Sequence, residues 1–138
     1  MTKEEIQLLL VDLCARLPHG VICHIEIPHR FIGYVEKGDL PLNSISIKDS
    51  KCDFITCWGI DIDYVRPYLR PMSSMTKEEL KEYYIIAGMG TNPVVWNKPQ
   101  PDWHFSLNDL DWLYQHHFDV RGLIPMGLAI EAPKDMYK

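Results

Sequence analysis

Apolar residues at Ile6, Leu9, Leu10, Leu13 and Leu17 recur at the i, i+3, i+4, i+7 and i+11 spacing of one helical face, which predicts a first helix over residues 2–17. Thr2 and Glu5 form a capping-box pattern at its start, and Pro18 followed by His19-Gly20 ends it. Leu8 and Val11 widen the apolar stripe, so the helix is expected to pack against a sheet or another chain. From Gly20 the period becomes two: Val21, Cys23, Ile25 and Ile27 alternate with Ile22, His24 and Glu26, a half-buried strand ending at Pro28. A second run, 31–36, carries Gly33 at its middle, and Lys37-Gly38-Asp39 reads as turn material. Ile45 and Ile47 alternate with Ser44, Ser46 and Lys48, then Asp49-Ser50-Lys51 turns the chain into a fourth run, 52–58.

Helical periodicity returns after Pro71. Thr76 and Glu79 repeat the capping box ahead of Leu80, Tyr83, Tyr84 and Ile86, with Gly88 and Gly90 as terminators, which predicts a helix over about 76–87. Residues 89–103 hold three prolines and two tryptophans and read as an extended connection, of the length that compact domains reserve for function or motion. Ser106 as N-cap and Leu107, Leu110, Leu113, Tyr114 and His117 predict a last helix over about 107–117. The apolar tail from Leu123 to Ala132, broken by Pro125 and Gly127, fits either a short final strand or packed coil.

These elements make an α+β fold in one domain over residues 1–138. It has an N-terminal helix, a small antiparallel sheet or SH3-like barrel over about 20–71, and two later helices covering it in 72–138. The exit through residues 59–71, a short helical turn next to a last strand, is what suggests the SH3-like barrel.

The strings Pro67-Tyr68-Leu69-Arg70-Pro71-Met72-Ser73-Ser74-Met75-Thr76, Asp111-Trp112-Leu113 and His116-His117-Phe118-Asp119-Val120-Arg121-Gly122-Leu123-Ile124 resemble those of a family of small uncharacterised bacterial proteins common in gut bacteria of the Bacteroides type. Asp12-Leu13-Cys14-Ala15-Arg16-Leu17-Pro18 and Gly127-Leu128-Ala129-Ile130-Glu131-Ala132-Pro133 are similar to that family as well. The resemblance implies a setting near prophage or mobile-element genes. It implies no activity and no catalytic residue.

Composition narrows the function classes. The 138 residues are 46% apolar and 24% charged, which excludes a wholly disordered chain. The purely aliphatic run Leu8-Leu9-Leu10-Val11 is far short of the ~20 residues of a membrane span. The start, Met1-Thr2-Lys3-Glu4-Glu5, lacks the pattern of a secretory signal, so a cytoplasmic location is expected. Net charge is −5, spread over both halves, which weighs against nonspecific binding to nucleic acid.

The chemistry-bearing residues form no strong motif. Cys14, Cys23, Cys52 and Cys57 lack the paired short spacings of a zinc clip and read as reduced thiols. His19, His24 and His29 stand five apart and share no ligand face. His116 and His117 are adjacent, about 100° apart on a helix. With Asp119, Asp109 and Asp111 they sketch a metal site; the plainer reading is a histidine near the negative end of the helix dipole. No nucleophile elbow or phosphate-cradling glycine loop is present, so no catalytic residue and no cofactor is assigned.

Tyr64, Arg66, Tyr68, Arg70, Trp96 and Trp103 are the candidate partner-binding residues, because arginine and large aromatics dominate interface hot spots. The alternative places Tyr68 and Leu69 in the core and pairs the arginines with Asp61 or Asp63. The leading expectation is a noncatalytic interaction or accessory protein that binds a protein partner. Nucleic-acid binding through the barrel is the first alternative, and a metal-assisted hydrolase the second.

Overall fold

A helix forms from Lys3 to Arg16 (α1) because Thr2 and Glu5 close their capping box as the pattern requires, each side chain bonding the other's backbone N–H. In the computed structural model, residues 1–29, 34–42, 45–48, 53–56, 62–88, 98–101 and 103–137 are described. The buried face of α1 is rotated from the leucine stripe: Leu9, Asp12, Leu13 and Arg16 face inward while Val11 is exposed. Two charged residues can face inward because they neutralise each other. The Arg16 Nε donates to Asp12 Oδ2 at 2.6 Å and Nη2 to Oδ1 at 3.1 Å, with both side chains fully buried.

After a 3-10 turn at Leu17–His19 come β1 (Ile22–His29), β2 (Tyr34–Pro41), β3 (Ile45–Lys48) and β4 (Asp53–Thr56). A second 3-10 turn, Ile62–Tyr64, leads into β5 (Val65–Leu69). Lys37, Gly38 and Asp39, read above as a turn, lie inside β2 opposite Glu26, Ile25 and His24. Cross-strand pairs outweigh their local turn preference: Lys37 Nζ sits 2.7 Å from Glu26 and Asp39 Oδ1 2.8 Å from His24 Nδ1. Pro28, read as the stop of the first strand, pairs with Val35 in β1, beyond the residues that β5 reaches.

Two further helices, α2 (Lys77–Ile86) and α3 (Leu107–Gln115), precede a two-residue strand β6 (Ile130–Glu131). Thr76 and Glu79 form the second capping box. Ser106 is the N-cap of α3 in backbone conformation, yet its hydroxyl donates to Asp109 Oδ1 instead of capping. Asp109 Oδ2 accepts from Tyr83 of α2, so the carboxylate ties the two helices together.

Among the described residues the sheet order is β2-β1-β5-β6, with β1 antiparallel to both neighbours and β6 parallel to β5; β3 and β4 pair separately. The architecture is α+β. Of the apolar tail, residues 123–129 are turns and bends and only Ile130–Glu131 form a short strand, continued by the Ala132 N–H donating to the Leu69 carbonyl at 2.8 Å. One core packs α1 against the inner sheet face through Leu9, Leu13, Val21, Cys23, Val65 and Leu69. A second joins α2 to α3 through Tyr83, Trp112, Leu113 and Phe118. No described helix is long and apolar enough to cross a membrane.

Candidate functional site

Strand alternation decides which side chains meet. Along β5, Val65, Pro67 and Leu69 are buried while Arg66 and Tyr68 face outward, and Arg70 beyond the strand end continues that alternation. The register sets His24 of β1 between Arg66 on one side and Asp39 of β2 on the other. Glu26 and Lys37 face each other two residues along. The outer face of β2-β1-β5 is thereby a polar surface assembled from three strands.

At its centre His24 Nδ1 lies 2.8 Å from Asp39 Oδ1. The Tyr68 hydroxyl donates to the same oxygen at 3.0 Å. The His24 bond holds the Asp39 carboxyl below its ordinary range, while burial and the Asp39 bond push the Tyr68 phenol up. Lys37 does the same for Glu26 as His24 does for Asp39.

Arg66 is held differently. Its Nε donates to the Gly127 carbonyl at 3.1 Å, and its Nη1 donates to the carbonyls of Asp63 at 3.1 Å and Val65 at 2.8 Å. A depression of about 460 Å³ opens between these strands, lined by His24, Glu26 and Lys37 on one side and Asp63, Tyr64 and Arg66 on the other.

The candidate residues from the sequence are thus divided. Tyr64 and Arg66 share the depression, whereas Tyr68 does not line it and bonds Asp39, the partner of the lining His24. Arg70 belongs to a separate cleft of about 590 Å³ beside Thr76, Glu79 and Tyr137. Its guanidinium donates to both Glu79 carboxylate oxygens at 2.7 Å and lies 4.3 Å over the Phe118 ring. Burial raises the Glu79 pKa, but the Arg70 fork and the Thr76 N–H outweigh it and hold the carboxyl below its usual range. Trp103 is half-buried on the segment before α3 and lines neither space; Trp96, Asp61, Cys52 and Cys57 lie outside the described residues. Of the alternative pairings, Leu69 is in the core, and Arg66 takes the carbonyl of Asp63 rather than its carboxylate.

His116, His117 and Asp119 are each engaged in the fold. The His116 ring stacks on Trp112 at 4.1 Å with Nδ1 on the Trp112 carbonyl, and Asp119 accepts from the Leu123 and Ile124 N–H groups at 2.8 and 3.0 Å. Among the described residues no three His, Cys, Asp or Glu side chains are placed to hold a metal ion. Cys23 is buried and its thiol pushed up to about 12 by burial, whereas Cys14, placed by its spacing near the apolar face of α1, is exposed.

His117 has a structural role that its position in the sequence hides. It follows the C-cap of α3 at φ 65°, the left-handed site usually held by glycine. The Phe118 N–H reaches Leu113 O and the His117 N–H reaches Tyr114 O, both at 3.0 Å, completing a Schellman motif. The ring stacks on Tyr137 at 3.7 Å.

Burial first, then the nearby Arg16, His19, His116 and Arg70 charges, push its pKa down to about 4 from 6.5. The unfolded chain therefore binds a proton that the folded one refuses between these values, so this stabilising contribution is complete above pH 6.5 and falls as the pH drops towards 4. Allowing for partial exposure, the loss is about 1–2 kcal/mol. Urea unfolding at pH 7 and pH 4.5 should show a shallower pH dependence in His117→Asn, a residue that tolerates the same backbone; equal slopes in both proteins would refute the assignment.

The residues missed from sequence are Asp39, Lys37 and Glu26, together with the pairing of His24. Local reading put Lys37 and Asp39 in a turn, and only the β1-β2 register reveals them as partners. Compared with protein-family models, curated proteins and solved structures, the chain matches none, and the site is read from its geometry.

Proposed function

We propose that this protein is a noncatalytic binding module, cytoplasmic, that takes a protein partner on the outer face of its sheet through Tyr64, Arg66 and the His24-Asp39-Tyr68 cluster. The observation that carries this reading is that Tyr64 and Arg66, half-exposed, line one depression together with His24, whose ring is held by Asp39. Arginine and tyrosine supply large contact area and directional donors, and a guanidinium already fixed by backbone carbonyls loses little freedom on binding. Arg70 drops out of the contact set because Glu79 and Phe118 occupy it.

The test is a nuclease-treated pull-down of the tagged chain from its native host lysate at low and moderate salt. The wild type is expected to retain one stoichiometric protein at both salts, with retention reduced roughly tenfold or more by Tyr64→Ala or Arg66→Ala. Retention unchanged in both folded variants overturns the site. Recovery of nucleic acid alone, without nuclease and only at low salt, would replace this reading by nucleic-acid binding through an SH3-like barrel, which the net charge of −5 disfavours.

A further inference from the structure

We propose that the depression is a socket for a single carboxylate, in which Arg66 Nη2 and His24 Nε2 receive an acidic side chain of the protein partner. This rests on the partner-binding reading and specifies what the partner presents.

The arginines of the described residues divide by how their charge is met. Arg16 and Arg70 are within 2.7 Å of carboxylate oxygens, and Arg121 is 3.7 Å from Asp12. Arg66 faces three neutral carbonyls, contributed by the turn before β5, by β5 itself and by the chain ahead of β6. Those bonds fix the guanidinium plane but leave its charge uncompensated among the described residues, with Nη2 unbonded. A planar fork held in this way is suited to an oxyanion.

His24 complements it from the adjacent strand. Asp39 takes the Nδ1 side, which orients the ring; His24 lines the depression, and Nε2 is its other polar atom. In its protonated form the ring donates at Nε2 to an incoming anion while Asp39 balances its charge.

The surrounding charges select the class of anion. Lys37 is committed to Glu26 at 2.7 Å, and His24 to Asp39. Among the described residues lining the depression, what remains is one cation without a carboxylate partner, Arg66, with the exposed Asp63 in the same lining. Arg66 can offset one monoanionic group, with Asp63 as its competitor. A dianionic phosphate would carry one negative charge more than Arg66 can offset, with the Asp63 carboxylate in the same space.

The experiment is a side-chain NMR titration of the full-length protein, following the Arg66 Nε–H and the His24 ring. The probes are a blocked five-residue peptide with one central glutamate, the same peptide with glutamine, and inorganic phosphate. The glutamate peptide is expected to give saturable shifts at both residues, and the glutamine peptide none. Binding should weaken roughly tenfold in Arg66→Gln. Asp63→Asn, which removes the competing carboxylate and touches no hydrogen bond of the socket, should tighten it a few-fold.

Equal shifts with both peptides, shifts unchanged in Arg66→Gln, or tighter binding of phosphate would each overturn the proposal. Backbone spectra of each variant establish that it is folded. Partner capture lost in Arg66→Ala without any binding of the glutamate peptide rejects the carboxylate socket and leaves the binding module standing. Glutamate-peptide binding with no captured protein rejects the module and leaves the socket.

Discussion

Asp12→Ala is expected to destabilise the protein by about 3–5 kcal/mol, because it leaves the Arg16 guanidinium buried without its counter-charge. Both residues are at 0% exposure. Asp12 accepts from two Arg16 nitrogens, and Arg121, partly exposed, approaches the same carboxylate at 3.7 Å, so the substitution strands Arg16 and removes the counter-charge near Arg121. Arg16 keeps the Phe118 carbonyl at 2.7 Å and the Tyr114 ring at 4.8 Å, neither of which carries a net negative charge. The loss should appear as a lower urea midpoint at an unchanged m-value. Replacing both partners by apolar residues of similar volume, Asp12→Leu with Arg16→Met, should recover most of it, since the stranded charge then disappears. A cost below about 1 kcal/mol for the single variant would show that the pair is not buried as described.

Phe118→Ala should be comparably severe, at about 3–5 kcal/mol. The ring is at 0% exposure, stacks on Trp112 with centroids 6.1 Å apart, and carries the Arg70 guanidinium on its face. Phe118 also follows the left-handed residue of the Schellman motif, where its contact with the end of α3 fixes the direction in which the chain leaves the helix. Its backbone pairs with Arg70, linking the β5 strand to the helical half. Because Arg70 rests on the ring, Phe118→Ala and Arg70→Ala should couple by about 0.5–2 kcal/mol in a double-mutant cycle. Phe118→Leu, which retains most of the volume, should lose less than half as much as alanine. Strict additivity of the first pair would mean the cation and the ring do not act together.

Local signals carried the elements. The two Thr-x-x-Glu boxes opened α1 and α2 because a capping box is completed within four residues and needs no help from the rest of the chain. The alternation of Val21, Cys23 and Ile25 placed β1 and its buried face for the same reason. Lys37-Gly38-Asp39 misled because a strand's partners are set by register, and turn-like composition yields when cross-strand ion pairs are available. Ser106 showed the same limit on a smaller scale: it stands at the N-cap, yet Asp109, fixed by Tyr83 from another helix, takes its hydroxyl.

The candidate site was half legible. Tyr64, Arg66 and Tyr68 were visible as an alternation of arginine and tyrosine along the chain. Arg70 looked equivalent to Arg66 by that pattern, and the two differ only in what lies across from them. Glu79, nine residues on, neutralises Arg70, whereas Gly127, sixty-one residues on, offers Arg66 a carbonyl. His24 and Asp39 are fifteen residues apart and meet only through the hairpin.

By itself the chain's pattern of polar and apolar residues determined the helices, the α+β class and the inward face of β1, all of which follow from short-range periodicity and capping. The tertiary structure decided which charges are spent on one another and which remain for a partner, and it turned the Asp12-Arg16 spacing from an ordinary surface pair into a buried one. Charge interactions depend on distance and burial, and both are set by residues far apart in sequence that are brought together only when the sheet and the two cores close.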